Sequence, residues 1–227
     1  MSVHLLDRPV WSALTTRWAS LALGKRPALR LAPEYGLFAA TADDSPDALA
    51  ALADLVAPRG ETWLVEMHEP PPPPRVNVTR RVELFQMIAP SLTRAAVAPV
   101  PFVELGDADA AEMIMLAMLT KPGPFLLRTH RFGGFIGVRD SGRLVAMAGT
   151  RMRLPGYCEV SGVCTHPDYR GRGYAGALMR VVCQRILDAG ETPILHTYAA
   201  NKGANTLYES LGFTVRTPVT LTVLTKG

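Results

Sequence analysis

A glycine-rich segment at residues 170–176 contains the residue types in this chain that are best suited to binding phosphate. It reads Arg-Gly-Arg-Gly-Tyr-Ala-Gly, between an apolar run and an amphipathic run, which predicts a strand, a turn and a helix. Glycine has no Cβ, so the backbone can adopt positive φ and a ligand can approach closely. The first N–H groups of a helix lack helical partners and lie at the positive end of its dipole. Together with the guanidinium groups of Arg170 and Arg172, these features predict a phosphate or pyrophosphate site.

Two common phosphate-binding signatures do not fit this turn. Gly171 and Gly173 have the first spacing of the dinucleotide-binding motif, but no acidic residue follows in a strand about 20 residues on to bind a ribose. Walker A requires a Lys-Ser or Lys-Thr pair, and the chain contains neither. The pattern [RQ]-x-x-G-x-[GA] does fit, through Arg170, Gly173 and Ala175. It resembles the pyrophosphate signature of the GNAT superfamily, the acyl-CoA-dependent N-acyltransferases.

A second motif follows at the distance that this superfamily requires. Residues 201–213 resemble its N-x-x-A-x-x-L-Y-E-x-x-G-F helix, with apolar side chains at three- and four-residue steps and Gly212 as a helix-ending residue. Residues 193–198 predict a buried strand between the two motifs. The resemblance covers roughly residues 100–223. Within it, the motif sequences are similar to those of a bacterial subgroup related to glycine N-acyltransferases.

The resemblance implies an α/β (α+β) fold with a mixed, mostly antiparallel central sheet flanked by helices. We expect residues 1–99 to form an additional N-terminal α/β half, a degenerate GNAT-like unit being one alternative, and residues 100–227 to form the acyltransferase domain. Residues 9–23 and 45–56 predict helices, and 82–88 a strand or a short helix. In the second half we expect strands at 102–105, 135–139, 144–152 and 157–165, a helix at 107–119 with Asp107 as its N-cap, and a connector at 90–101 before them.

Glu159 is the residue that the resemblance suggests as general base. An amine attacks a thioester only when neutral, and a lysine-like amine has a pKa near ~10.4, so proton removal needs assistance. Glu159 has the spacing before Arg170 that the base has in histone-acetylating members. The alternative is an ordinary solvated carboxylate on a strand. Gly162 is a candidate bulge that would separate the fourth and fifth strands and admit the pantetheine arm.

Tyr208 resembles the residue that protonates the departing CoA thiolate, and the alternative is a packing aromatic on the helix face. Asn201 either caps its helix or binds the cofactor, or does both. Backbone groups of residues 163–165 would meet the pantetheine amides and the oxyanion. The residues expected to bind acetyl-CoA are Val163, Cys164, Thr165, Arg170, Gly171, Arg172, Gly173, Tyr174, Ala175, Gly176, Asn201 and Ala204.

The composition of the chain does not indicate a function, but it argues against several classes of partner and site. The net charge of +4 and pI of about 9.1 come from scattered residues, so we expect no nucleic-acid partner. Three cysteines without a CxxC pair predict neither a disulfide framework nor a metal site, and we expect no metal. The amino terminus lacks a signal-peptide pattern and no apolar run reaches about 18 residues, so we expect a cytoplasmic protein without a membrane span.

The resemblance implies an N-acetyltransferase that moves an acetyl group from acetyl-CoA directly to a primary amine of a small molecule or protein. The alternative is a non-catalytic acyl-CoA-binding sensor or interaction protein, and a homodimer is a possible assembly. The superfamily selects its acceptor with the loop after the first helix, here 121–131, and with strands six and seven, here 216–220. Arg128 and Arg131 are candidates for an acceptor carboxylate, or ordinary surface arginines. Thr150 stands where relatives often carry Glu, which puts the transfer of substrate class in doubt.

Overall fold

The computed structural model describes residues 4–94 and 100–227. Within these ranges the strands are β1 (Ala22–Lys25), β2 (Ala28–Leu31), β3 (Ala39–Thr41), β4 (Thr62–Glu66), β5 (Val76–Ile88), β6 (Val103–Glu104), β7 (Ile136–Asp140), β8 (Arg143–Leu154), β9 (Tyr157–Thr165), β10 (Thr192–Tyr198) and β11 (Thr214–Lys226). The α-helices are α1 (Pro9–Leu14), α2 (Pro46–Leu55), α3 (Ala110–Thr120), α4 (Tyr174–Asp188) and α5 (Lys202–Leu211).

The central sheet has eight strands in the order β4-β11-β5-β10-β9-β8-β7-β6. Its neighbours are antiparallel except for β9 and β10, which pair in parallel. A separate three-stranded sheet contains β1, β2 and β3. The predicted mixed, mostly antiparallel sheet flanked by helices is confirmed.

Strand β5 joins the two parts of the sequence. It pairs with β11 along its whole length and with β10 through residues 84–88. The resemblance implies two strands after the last helix, whereas the structure has one, β11, and β5 from the amino-terminal part lies beside it. Residues on both sides of the predicted domain boundary therefore contribute to one sheet. Residues 95–99, which include part of the predicted connector and the end of the predicted first half, lie outside the described residues, and the two-domain division stays a prediction.

Each face of the sheet is covered by apolar packing. On one face α4 buries Leu178, Met179 and Val182, whose three- and four-residue spacing directs them to the same side of the helix. On the other face Leu14 and Trp18 from the amino-terminal part pack in a cluster with strand residues of β8, β10 and β11. The amino-terminal part therefore shares a hydrophobic core with the predicted acyltransferase domain.

Two helix predictions were wrong at their ends. The helix predicted at residues 9–23 stops at Leu14, where the hydroxyl groups of Thr15 and Thr16 bond back to carbonyl oxygens of the preceding turn. Such side-chain bonds compete with helix continuation. Asp107 does not cap α3, because its carboxylate is bound by Arg131 and His130 and the helix starts at Ala110.

Two glycines make room for the buried ring of Phe135. A Cβ on Gly149 would lie 2.4 Å from the ring, and a Cβ on Gly162 would lie 2.7 Å from it. Gly162 also has a φ of 65°, in the left-handed region that favours glycine. The pairing of β8 with β9 shifts register around this residue, which confirms the predicted bulge.

Gly149→Ala is expected to destabilise the protein by about 1–3 kcal/mol, because a buried strand must move away from an aromatic ring that has no free space. Urea unfolding would measure the change. Gly203→Ala is the control, since a Cβ there meets nothing within 4 Å and the position lies in α5. A Gly149→Ala protein as stable as wild type would contradict the packing described here.

Candidate active site

The site lies where β9 and β10 separate. The two strands pair from Thr192↔Tyr157 to Ile194↔Glu159 and then diverge, while β10 keeps its pairing with β5 on the other side. A cavity of about 860 Å³ opens at the divergence. The bulge at Gly162 turns the end of β9 away from β10. The strands thus leave backbone groups of residues 163–165 beside the cavity.

The glycine-rich turn forms one wall of this cavity. Gly171 and Gly173 have φ values of 77° and 78°, and a Cβ on either would meet no atom within 4 Å. The helical hydrogen bonds of α4 begin with Ala177 N–H donating to Gly173 O at 3.0 Å. The N–H groups of residues 174–176 therefore precede the helical bonding pattern and are available to an anion.

Two arginines add positive charge to the turn. Arg170 and Arg172 both line the cavity and are exposed. The guanidinium of Arg172 lies 4.6 Å from the ring centre of Tyr169, whose hydroxyl donates to Asp140 at 2.6 Å. This stacking holds Arg172 beside the turn. The wall can therefore neutralise a phosphate group with both backbone N–H groups and side chains.

All twelve residues predicted to bind the cofactor line this one cavity, namely Val163, Cys164, Thr165, Arg170, Gly171, Arg172, Gly173, Tyr174, Ala175, Gly176, Asn201 and Ala204. Asn201 caps α5, because its Oδ1 accepts from Ala204 N–H at 3.3 Å. Burial raises the pKa of the Cys164 thiol to about 11, so this thiol is not a ready nucleophile. Binding of a cofactor by these residues stays a prediction.

Tyr208 also lines the cavity, from the inner face of α5. Its ring packs against Phe213 at 6.3 Å between centres, and its hydroxyl makes no hydrogen bond with any described residue. Burial raises the pKa of the phenol, so the hydroxyl keeps its proton at neutral pH. Tyr208 is thus a packed aromatic with a free donor.

Glu159 lies at the last paired position of β9 and β10 and is fully buried. Its carboxylate accepts from Arg151 Nε at 2.9 Å and Nη2 at 2.8 Å, and from His196 Nδ1 at 2.9 Å. Burial acts to raise the pKa of Glu159, but the Arg151 charge and the hydrogen bonds from His196 and Arg151 outweigh it, so the pKa lies well below its ordinary value. Arg151 and His196 line the cavity, and Glu159 lies behind them.

The imidazole of His196 has both nitrogens occupied. Gln86 Nε2 lies 3.1 Å from His196 Nε2 and also donates to Leu6 O at 2.9 Å, while Gln86 Oε1 accepts from Arg216 at 2.9 Å. These partners fix the orientation of the Gln86 amide. His196 Nε2 is therefore the acceptor and Nδ1 carries the proton that is donated to Glu159.

Sequence reasoning missed part of the cavity wall. Residues 120–124, after α3, line it as the resemblance implied, but Arg128 and Arg131 do not. Arg131 pairs with Asp107 at 2.9 Å and Arg128 with Glu34 at 3.6 Å. The structure instead adds Arg151 and apolar residues of the amino-terminal part. No local motif marks Trp63, Val65 or Leu84, because they reach the cavity through the positions of β4 and β5 in the sheet.

The described residues contain no group of three or more His, Cys, Asp or Glu side chains that is placed to hold a metal ion. None of the helices in residues 4–94 and 100–227 is long and apolar enough to cross a membrane. The absence of metal, the cytoplasmic location and the assembly state stay predictions.

Comparisons with known proteins agree with this geometry. A family model described as FR47-like protein matches residues 135–221. A solved structure of a protein from Novosphingobium aromaticivorans DSM 12444, assigned to the acetyltransferases of the GNAT family, is 46% identical, with 99% of this chain and 100% of the other covered and a TM-score of 0.89. A GCN5-related N-acetyltransferase from Kribbella flavida is 18% identical, covers 94% and 92% of the two chains, and has a TM-score of 0.63, which supports the fold. A search of curated proteins found no match.

The fold and the cleft between β9 and β10 define an acyl-CoA-dependent N-acyltransferase. The chain belongs to the GNAT family of acetyltransferases. The finer resemblance to the subgroup related to glycine N-acyltransferases stays a prediction.

Proposed function

We propose that this protein transfers an acetyl group from acetyl-CoA directly to a primary amine of a small molecule or protein. The observation that carries the proposal is the single cavity that joins the phosphate-binding turn to the gap between β9 and β10. Acetyl-CoA supplies an activated acetyl group as a thioester, and the amine nitrogen takes that group as the CoA thiol is released.

The residues at the cleft suit an elongated phosphorylated ligand. The turn at 170–176 offers free N–H groups and two arginines for a pyrophosphate. Beyond it the side chain of Thr165 lines the cavity, and its buried Oγ1 has no hydrogen-bond partner among the described residues. A buried polar atom without a partner costs free energy, so a ligand amide beside it would relieve that cost. We assign the pyrophosphate to the turn and the pantetheine arm to the wall formed by residues 163–165.

For Glu159 the contacts favour a positioning role over the predicted role of general base. A carboxylate with a lowered pKa and three bound N–H groups is a weak proton acceptor. We propose that it holds Arg151 and His196 at the cavity wall and that the acceptor amine enters as its neutral fraction. kcat/KM then rises with pH until the free amine, whose own pKa is near ~10.4 for an alkylamine, has lost its proton.

For Tyr208 we propose the role of proton donor to the departing thiolate. The phenol keeps its proton because burial raises its pKa, and its hydroxyl is free to donate. A thiol has an ordinary pKa near ~8.5, so proton transfer from a phenol to a thiolate is modestly uphill and is feasible within a turnover. The nitrogen loses its proton to solvent as it is acylated, and the phenolate takes a proton from solvent.

Tyr208→Phe removes only the hydroxyl and is expected to lower kcat about tenfold or more, while acetyl-CoA affinity stays within a few-fold. An interaction made only in the transition state gives this pattern. Stability should stay within about 1 kcal/mol, because no partner of the hydroxyl is left unpaired. A steady-state assay of CoA release measures kcat, and calorimetry measures the affinity for acetyl-CoA. Equal kcat in the variant would reduce Tyr208 to a packing residue.

A panel of primary amines with acetyl-CoA, followed by thiol detection of released CoA, tests the proposed function. Amine-dependent CoA release supports transfer. Tight acetyl-CoA binding with no release for any amine would support the alternative, an acyl-CoA sensor.

A further inference from the structure

One part of the cavity is lined by apolar side chains, and we call this part the apolar chamber. Its lining residues belong to, or pack against, the apolar cluster that the amino-terminal part forms on the other sheet face. The residues of this chamber are Phe38, Trp63, Val65, Leu84, Met152 and Leu221. Four of them precede the region matched by the family model, so the amino-terminal part contributes most of the chamber.

The charge of the cavity wall limits what the chamber can hold. Among the described residues that line the cavity, none is Asp or Glu, whereas Lys121, Arg151, Arg170 and Arg172 are cationic. A polyamine or a lysine-rich peptide would bring further positive charges to this wall without a carboxylate to receive them. Burying an unpaired charge is costly, so the wall favours an acceptor without a second positive charge.

Arg151 stands where the chamber meets the gap between β9 and β10. Its Nε and Nη2 are held by Glu159, and the guanidinium lies 4.9 Å from the ring centre of Phe38. Its Nη1 makes no hydrogen bond with any described residue, although the side chain is only 11% exposed. A Cβ on Gly123 would lie 3.9 Å from Nη1, so the loop after α3 passes beside it. A guanidinium fixed on one edge thus presents free N–H groups to the cavity.

We propose that the acceptor is an amino acid with a bulky apolar side chain, of which phenylalanine is the model. Its carboxylate would bind Arg151 Nη1, its side chain would pack against the half-buried Trp63 at the chamber wall, and its amine would face the gap between β9 and β10. Apolar walls stabilise the side chain by removing it from water, and a charge-assisted hydrogen bond orients the carboxylate. This inference rests on the proposed function and names its acceptor class.

A long or aromatic acyl chain of the donor would also fit apolar walls. It would leave the N–H groups of Arg151 Nη1 without a partner, whereas an amino-acid carboxylate satisfies them. The two occupants are separated by varying the acceptor and the acyl group independently.

Binding is measured by calorimetry on the protein saturated with CoA, with products as probes because they carry no ammonium group. N-acetylphenylalanine is expected to bind at least about tenfold more tightly than N-acetylphenethylamine, which lacks the carboxylate, and than N-acetylglycine, which lacks the apolar group. In turnover with acetyl-CoA, phenylalanine should exceed phenethylamine, glycine and spermidine in kcat/KM.

Two variants test separately the recognition of the carboxylate and the recognition of the apolar side chain. Arg151→Lys keeps a cation beside Glu159 but loses the guanidinium fork, so the preference for N-acetylphenylalanine over N-acetylphenethylamine should fall about tenfold. Trp63→Ala should weaken both aromatic probes about tenfold or more and leave N-acetylglycine within twofold. The controls are Arg153→Lys, on the same strand but outside the cavity wall, and Trp11→Ala, a half-buried tryptophan of α1. Both controls should bind all probes as wild type does.

Each outcome decides the proposal. Equal binding of N-acetylphenylalanine and N-acetylphenethylamine, or of N-acetylphenylalanine and N-acetylglycine, overturns it, and so does turnover of spermidine above phenylalanine. Tighter binding of benzoyl-CoA than acetyl-CoA that Trp63→Ala abolishes assigns the chamber to the acyl group and also overturns it. The expected order of binding without turnover of any amine would leave the site standing and refute the proposed function. Turnover of other amines without binding of N-acetylphenylalanine would support the proposed function and refute the proposed acceptor site.

Discussion

Gly173→Asp is expected to abolish the stabilisation of this protein by CoA. Gly173 has a φ of 78°, and the space beside it is open to the cavity, so the aspartate side chain would occupy the phosphate position with a charge of the same sign. CoA at a hundredfold excess over its Kd contributes about 2.7 kcal/mol to wild-type stability. For a chain of this length that corresponds to a rise in Tm of roughly 5–10 °C. Thermal unfolding with and without CoA measures it.

Gly190→Asp is the matched control for this change. Gly190 has a φ of 75° and equally open surroundings, but it follows the other end of α4 and does not line the cavity. Both variants carry the same backbone strain and the same added charge. Gly190→Asp should keep the full CoA-dependent rise in Tm, and a Gly173→Asp protein that also keeps it would refute the assignment of the turn to phosphate.

Glu159→Gln is expected to lower the free energy of unfolding at neutral pH by about 3–5 kcal/mol, because the buried guanidinium of Arg151 loses its counter-ion. The pH dependence follows from the lowered pKa of Glu159. The stabilisation of the folded wild-type protein by ionised Glu159 is complete above the unfolded-state pKa near ~4.3. It is lost progressively as the pH falls below that value. The difference between wild type and variant should therefore be largest above about pH 5 and shrink in acid. Urea unfolding across pH measures it.

Glu104→Gln provides the comparison at the surface. Glu104 accepts from Arg185 at 2.6 and 3.1 Å, a similar two-point contact, but both side chains are exposed. Loss of this ion pair should lower the free energy of unfolding by less than about 1 kcal/mol. If Glu159→Gln were as stable as wild type and its kcat fell about 10²–10⁴-fold at neutral pH, with the loss shrinking as pH rises, Glu159 would be the base and not a positioning residue.

The parts of the site that depend on short segments could be predicted from the sequence. The turn at 170–176, the bulge at Gly162 and the cap at Asn201 each follow from local backbone requirements of glycine or of a helix start. Their order along the chain, with a strand between, predicts that they meet at one cleft.

The parts that depend on distant pairing could not be predicted in this way. No local pattern indicates that β5 lies between β10 and β11, since that position depends on contacts between residues far apart in sequence. The same insertion carries Leu84 to the cavity and sets Gln86 against His196. The contacts of Glu159 could not be predicted either. Strand periodicity predicts the sheet face on which a side chain lies, but not the side chains that bind it there.

In the proposed reaction this cleft moves an acetyl group from CoA to an amine nitrogen. The most direct measurement follows an isotopically labelled acetyl group from acetyl-CoA into products by mass spectrometry, with released CoA thiol counted in the same sample. Labelled N-acetyl amine is expected in equal amount to the CoA released; it should be absent with Gly173→Asp and present with Gly190→Asp. Release of CoA with the label in free acetate, or binding of acetyl-CoA with no release in the presence of any amine, would contradict it.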